Sequence, residues 1–443
     1  MKKLLLTFYG DDFTGSTDAL EQLANFGIRA MLFIEPPTRS QLKQFRELQA
    51  VGVAGMTRSM TPDAMESELR PAFKKLKALG APHVHYKVCS TFDSSPNIGS
   101  IGRAMDVGMD VFNPPFIPLL VAAPALGRFT VFGIHFARFG IGSNGAIHRI
   151  DRHPSISRHP VTPMTEADLR LHLAGQTRKK VALFDISNVA LPENAARGAL
   201  KETLRSKPDV ILFDALNAEQ LPRIGALIDR YANSQRPLFS VGSSGIEMAL
   251  GTHWAKPRLS LLPAKPVKQL LVGSGSCSPV TGKQIAWALR NGFAEIALDV
   301  AALASRRKSS TEIKRATTAA ANFFRAGRSV IVHTTKSVSS KRTAAKLKNN
   351  TANILGTALG RVLLGVLVQT RVERLCIAGG DTSSYAARAL GIKAVRMIAP
   401  LTPGAPLCQA FAAGSPADGL EVVFKGGQVG AENYFKTVRR GRV

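Results

Sequence analysis

Cysteine is scarce in this chain. Four occur in 443 residues, Cys89, Cys277, Cys376 and Cys408. No two form a C-x-x-C pair, which argues against a zinc cluster and a disulfide framework and points to a reducing, cytoplasmic setting. Long apolar runs are scarce as well. No stretch approaches the length that spans a bilayer, so no membrane partner is expected. The opening MKKLLLTFY is too short in its apolar part for a secretory leader before Asp11 and Asp12 interrupt it. Acids are outnumbered, 31 against 58 Lys and Arg, for a formal net charge of +27. The excess is densest in Ala304–Asn350, where Glu312 is the one acid. That stretch lacks interleaved aromatics; only the adjacent Phe323 and Phe324 occur, so a base-stacking surface is absent. Such charge runs are usually solvated faces, and small anionic substrates explain the excess without nucleic acid.

What the chain has is alternation of strand and helix over a length that suggests two domains. Lys3–Tyr9 is an apolar run fit for a buried strand. It stops at Gly10, delivers Asp11 and Asp12, and leads into a helix with Leu20, Leu23 and Phe26 at helical spacing. Further strands are expected at Ile28–Ile34, Ala50–Met56, His83–Val88, Pro118–Ala123, Val181–Ile186, Val210–Phe213 and Leu238–Val241. Helices are expected over Pro96–Asp110 and Glu166–Leu173, the latter with a capping box of Thr165 and Asp168. The stretch GTHWAKPRLSLLPAKPVK carries three prolines and no periodicity, a linker by composition. The pattern then restarts with strands at Gln269–Val272, Ser329–His333 and Arg374–Ala378 and a helix at Ile354–Val368. The expected class is α/β. Residues 1–255 and 269–443 form two α/β domains, joined by a linker at 256–268. Each has a mostly parallel sheet flanked by helices.

Paired carboxylates at a strand's carboxyl end lie where open α/β sheets bind ligands. Helix capping is the ordinary alternative for Asp11 and Asp12. Arg58 and Lys87 fall at or near strand ends on the same edge and suit a carboxylate substrate, because arginine pairs with carboxylates through two parallel bonds. Ser90, Thr91, Ser94 and Ser95 could bond sugar hydroxyls. His148, His153 and His159 lie in an Arg-rich loop that disfavours a metal ion. Arg158 and His159 are instead candidates to neutralise an anion. In the second half GSGSCS (Gly273–Ser278) joins a strand to a helix, as phosphate-cradling loops do. It is neither a Walker A loop nor a dinucleotide fingerprint. Gly379, Gly380, Asp381 and Thr382 sit at another strand–helix junction, and PGAP (Pro403–Pro406) and KGGQVG (Lys425–Gly430) add two glycine turns. Together they suggest a nucleotide site.

The set DDFTGSTD (Asp11–Asp18), KVCST (Lys87–Thr91), RHPVTPM (Arg158–Met164), GSGSCS, GGDT (Gly379–Thr382), PGAP and KGGQVG, in this order, resembles the four-carbon acid sugar kinases. The resemblance covers nearly the whole chain. It implies a sugar-acid-binding N-terminal domain, an ATP-binding C-terminal domain, and an active site in the cleft between them. It implies transfer of the γ-phosphoryl group of ATP to a terminal hydroxyl of threonate, erythronate, 3-oxo-tetronate or the branched 3-oxo-isoapionate; Mg²⁺ bridging the phosphates through Asp381 is the expected cofactor. Asp12 or Asp11 would serve as base. Arg58, Lys87, Cys89, Ser90, Thr91 and Asp93 would line the substrate. Ser274 or Ser276, Gly379, Gly380, Asp381, Thr382, Gly404, Gly426 and Gly427 would contact nucleotide. Where the family commonly reads K-x-D-S-T-L-R-G, this chain has Cys89 for an acid and Asp93 for an arginine, a change expected to alter which acid is accepted. A homodimer without nucleic acid or membrane is the expected assembly. An isomerase or aldolase acting on sugar acids, or a nucleic-acid-binding protein, are the alternatives.

Overall fold

Leu6–Gly10 (β1) is buried at every residue, as a strand covered on both faces of a parallel sheet must be. The computed structural model describes residues 3–45, 47–140, 144–159, 161–254, 263–334 and 351–442. Part of the expected linker, 256–262, and the basic stretch 335–350 lie outside the described residues. The chain divides into two compact units, Met1–Leu259 and Ser260–Val443.

In the first unit β1 pairs in parallel with β3 (Ala50–Ala54) and β4 (His83–Lys87). The sheet continues from β3 to β2 (Ala30–Phe33) and from β4 through β11 (Leu238–Gly242), β5 (Ile117–Leu120) and β10 (Val210–Phe213) to β9 (Val181–Phe184). Every pairing is parallel. Register places Gly10 level with both Ala54 and Lys87. The residues that follow these three strands therefore emerge at one edge. Glycine is needed at position 10: a Cβ there would lie 1.9 Å from Ser16 Oγ, where the helix Phe13–Asn25 turns back over the strand. Arg128–Val131 (β6), Ile134–Arg138 (β7) and Ile147–Arg149 (β8) form a separate antiparallel sheet. The Arg-rich loop expected to hold His148 thus includes strand β8, and Phe132–Gly133 turns β6 into β7 without a Pro or Asn to mark it. The helix expected from Pro96 begins only at Ile101, capped by Ser100. The expected capping box is also corrected. Asp168 itself caps Leu169–Ala174, and Glu166 accepts from the backbone N–H groups of Ala167 and Asp168.

The second unit has its own sheet, in the order β13 (Ala294–Ala297), β14 (Val330–His333), β12 (Leu271–Ser274), β15 (Arg374–Ala378), β18 (Glu421–Lys425), β17 (Ala405–Phe411) and β16 (Ala394–Thr402). The first four pairings are parallel and the last two antiparallel. The β16–β17 hairpin was invisible in the sequence beyond its PGAP turn, since β16 carries an alternating, half-exposed pattern in place of a continuous apolar run. The helix Thr351–Gln369 corrects a further expectation: by length and composition it could cross a membrane. Leu359, Val362, Leu363 and Val366 are fully buried on it, and Leu363 packs against Gly273 of β12, so the apolar content is used within the unit.

Candidate functional site

At the edge of the first unit, Asp12 caps the helix Phe13–Asn25. Its Oδ1 accepts from Gly15 N at 2.5 Å and its Oδ2 from Thr14 Oγ1 at 3.1 Å. The capping alternative is thus true of Asp12, worth about 1 kcal/mol. It does not explain Asp11. Asp11 Oδ1 is buried with no hydrogen-bond partner among the described residues, and burial, followed by the neighbouring Asp12 charge, pushes its pKa up from 3.8 to about 7. That displacement weighs on the order of 4 kcal/mol against the ionised form, more than the cap contributes, so the pair is not there for stability.

Two cations stand among these acids. Arg58 Nη2 donates to Asp93 Oδ2 at 2.5 Å, and Nη1 lies 3.6 Å from Asp12 Oδ2. Lys87 Nζ lies 3.4 Å from Asp18 Oδ2 and donates to Val88 O at 3.0 Å. Burial works against the charge on both. For Arg58 the Asp93 carboxylate is the largest opposing effect, for Lys87 the Asp18 carboxylate, and each base ends above its ordinary value. Asp93 is fully buried, yet Arg58, His159 and Thr91 hold its carboxyl below the usual range. These atoms converge on Gly15. A Cβ there would meet Asp12 Oδ1 at 2.8 Å, Lys87 Nζ at 3.3 Å and Asp11 Oδ1 at 3.7 Å.

The loop after β4 supplies the rest. Phe92 is fully buried at φ +56, a left-handed conformation that a bulky residue adopts only when its surroundings impose it. The turn lets Thr91 Oγ1 donate to Asp93 Oδ1 while contacting Cys89 Sγ at 3.0 Å. Ser90 is held by its carbonyl, which accepts from His135 Nε2 at 2.9 Å; burial keeps that imidazole neutral, with a pKa of about 4. His159 Nδ1 lies 4.0 Å from Asp93 Oδ2, whereas Arg158 is exposed and among the described residues has no ion pair with this group. Thr162, which lies within the RHPVTPM motif but was not itself expected at the site, donates to Asp93 Oδ2 at 3.2 Å. Asp18 was also missed as a partner of Lys87. It lies two turns into a helix whose start alone drew notice.

In the second unit the expected nucleotide residues gather at the carboxyl ends of β12, β15 and β18. Gly275 N donates to Ala378 O at 3.1 Å and Gly379 N to Lys425 O at 2.9 Å. A Cβ at Gly275 would lie 2.3 Å from Thr382 Oγ1. One at Gly379 would lie 3.3 Å from Ser276 N, and one at Gly427 2.9 Å from Ser276 Oγ. Gly379 has φ +118, open to glycine and little else, and opens the helix Gly380–Ala389. Gly426 follows β18 directly, and its carbonyl accepts from Lys425 Nζ at 2.8 Å. Ser274 is buried at the end of β12 with Oγ unpartnered. Gly404 turns the β16–β17 hairpin at φ +81. The register Leu407 to Val423, extended two residues, sets Ala405 level with Lys425. Asp381 is exposed in the first helical turn. Among the described residues no group of three or more His, Cys, Asp or Glu is gathered to hold a metal ion. Lys425 is a further residue of this edge, passed over in the sequence in favour of the glycines beside it. It is fully buried, its Nζ also donates to Thr281 Oγ1 at 3.0 Å, and burial lowers its pKa to about 8.

A sequence family described as a sugar-binding N-terminal domain matches residues 6–250, and one described as a nucleotide-binding C-terminal domain matches residues 271–435. The chain is 41% identical to a 3-oxo-isoapionate kinase from Paraburkholderia graminis, over 99% of this chain and 95% of that one. It is 29% identical to a 3-oxo-tetronate kinase from Cupriavidus necator, over 98% and 96% of the two chains. Among solved structures, a Salmonella typhimurium protein described as a putative tRNA synthase aligns with a TM-score of 0.76 at 24% identity, over 98% of each chain. A Haemophilus influenzae protein of a domain family of unknown function aligns at 0.69 and 21%, over 98% and 99%. At these identities the two structures speak for the fold alone.

Proposed function

The chain belongs to the four-carbon acid sugar kinase family, and from that premise we propose that it is an ATP-dependent sugar-acid kinase whose acceptor is 3-oxo-isoapionate or a close branched analogue. The observation that carries the reading is the strand-end acid pair: Asp11 Oδ1 is buried without a donor, beside Asp12, at the edge where Lys87 and Gly15 converge. A sugar hydroxyl supplies the missing donor. Identity supports the branched acid, at 41% against 26–29% for the 3-oxo-tetronate kinases compared. So does Asp93, a buried carboxylate held by Arg58 at the position where the tetronate pattern carries a cation.

In the proposed reaction Asp12, with Asp11 beside it, takes the proton of the attacking hydroxyl as the oxygen–phosphorus bond forms. The bond to the bridging oxygen breaks and ADP leaves. Phosphoryl transfer asks mainly for positioning and charge neutralisation. The backbone N–H groups of Ser276, Gly380 and Gly427 suit the phosphates, with Thr382 as a hydroxyl donor. Mg²⁺ enters as the ATP complex. A single exposed carboxylate, Asp381, is compatible with an ion held chiefly by phosphates and water. A cytoplasmic homodimer completes the proposal, and light scattering of the purified chain tests the assembly.

Release of ADP across a panel of 3-oxo-isoapionate, 3-oxo-tetronate, threonate and erythronate tests the function. Turnover is expected to be highest with the branched acid. Conversion of an acid without ATP would instead favour the isomerase or aldolase reading. No turnover of any of them would remove both.

A further inference from the structure

A sugar acid brings a carboxylate, and both cations described at the acid-rich edge are already engaged by protein carboxylates. Arg58 is held by Asp93 and Asp12, and Lys87 by Asp18. A third cation of the first unit is in a different state. Arg128, at the start of β6, is 5% exposed. Its Nη1 donates to the carbonyls of Leu126 at 3.1 Å, Gly127 at 3.2 Å and Arg138 at 3.1 Å. Its Nε is buried with no partner, and Nη2 has no hydrogen bond among the described residues. No carboxylate among the described residues is within ion-pair distance of it.

This arrangement is unusual. A guanidinium without a counter-ion is costly to bury, and carbonyl dipoles replace only part of its hydration. The three carbonyls anchor one nitrogen and leave the other two, Nε and Nη2, side by side along one edge. That edge is the fork that binds a carboxylate through two parallel hydrogen bonds. Its surroundings place it with the substrate loop. Burial drives the Arg128 pKa down, and the groups that work the other way are Cys89 and Asp18. Cys89 belongs to the loop that carries Thr91 and Asp93, and Asp18 is the partner of Lys87. The adjacent strand β7 ties in as well, because His135 donates to Ser90 O. Two histidines beside it, His135 and His153, are held neutral with pKa values of about 4, so they add no further positive charge to repel an anion.

We propose that Arg128 receives the carboxylate of the sugar acid, approached from its Nη2 side, and that Arg58 and Lys87 orient hydroxyls and acids of the pocket. This rests on the sugar-acid kinase reading for the identity of the ligand. It makes Arg128 a residue that reads the acid function, independent of which carbon skeleton carries it.

The test compares 3-oxo-isoapionate with the matching primary amide, in the wild type and in Arg128→Gln and Arg128→Lys. The wild type is expected to prefer the acid. Arg128→Gln should lower kcat/KM for the acid by roughly 10- to 100-fold, the range for loss of charge-assisted hydrogen bonds. It should lower the value for the amide far less and leave the KM for ATP unchanged, with most of the loss in the acid's KM. Arg128→Lys, which keeps the charge and loses the fork, should fall between. Arg58→Gln, in contrast, should affect acid and amide alike. Equal losses for acid and amide in Arg128→Gln, or no loss for either, would overturn the assignment. Should Arg128→Gln fail to fold, the lysine variant and the wild-type preference decide the question in its place. If nothing is phosphorylated, calorimetric binding of the acid against the amide still decides the role of Arg128, apart from the kinase reading.

Discussion

The two candidate sites treat buried charge in opposite ways. At the edge of the first unit, Arg58 and Lys87 each have a carboxylate partner, and four acids, Asp11, Asp12, Asp18 and Asp93, surround them. In the second unit Lys425 is just as buried but is held by uncharged oxygens of Thr281, Gly426 and Gly427. Burial accordingly lowers its pKa to about 8, while the pKa of Lys87 is raised. The first edge balances its cations before any ligand arrives and offers spare acceptors, which suits a polyhydroxylated compound. The second sets a cation that no carboxylate balances among the described residues beside the start of the helix Gly380–Ala389, which suits a ligand carrying several negative charges.

If that contrast is functional, substitutions should separate the two ligands cleanly. The largest effect belongs to Asp12→Asn. Turnover should fall by roughly 10²–10⁴-fold, the usual weight of a general base, while ATP affinity measured by calorimetry stays put. The amide still caps the helix, so thermal unfolding should change little. Retained turnover would mean that the acid pair only shapes the edge.

Lys425→Met comes next. It should raise the KM for ATP about 10-fold or more, with the KM for the acid unchanged, because a charge-assisted contact to phosphate is lost. The opposite result, with the acid's KM moving, would dissolve the distinction between the edges. A pH signature goes with it. A lysine with a lowered folded pKa binds fewer protons in the folded than in the unfolded chain between about 8 and 10.5. Its contribution is therefore fully present above pH 10.5 and lost as pH falls through 8. Lys425→Met should remove that dependence and leave the protein more stable than wild type near neutrality.

How visible each edge was in the sequence follows from the same physics. β1 is a continuous apolar run because both its faces are covered, and Asp11 and Asp12 follow it in sequence, so strand and acids could be read together. The glycine junctions were legible because close approach and φ +118 at Gly379 demand glycine. Partners brought in by register were not. Thr162 reaches Asp93 across 69 residues, and the RHPVTPM motif that contains it does not show that partner. Arg58 and Lys87 were identified, but the acids that engage them could not be, since ion pairing depends on how distant strand ends meet. Lys425 carried a usable signal that the glycines masked, a basic residue placed where a strand meets a tight turn.

The finest probe of the contrast is Asp11. Its folded pKa of about 7 stands above the unfolded value of 3.8, so its stabilising contribution is complete below about pH 4 and is lost as pH rises through 7. Asp93 runs the other way: Arg58 and His159 oppose its burial and hold its folded pKa below 3.8, so it favours the fold above that pH. The whole-protein curve mixes the two, and only a difference between variants isolates Asp11. Asp11→Asn keeps the shape and removes the penalised charge. Relative to wild type its Tm should be unchanged at pH 4 and higher by a few degrees at pH 8, with the gain developing between about pH 4 and 7. A variant less stable than wild type at pH 8 would show that the Asp11 charge is already balanced by Arg58 and Lys87, and the spare acceptor at this edge would be gone from the argument.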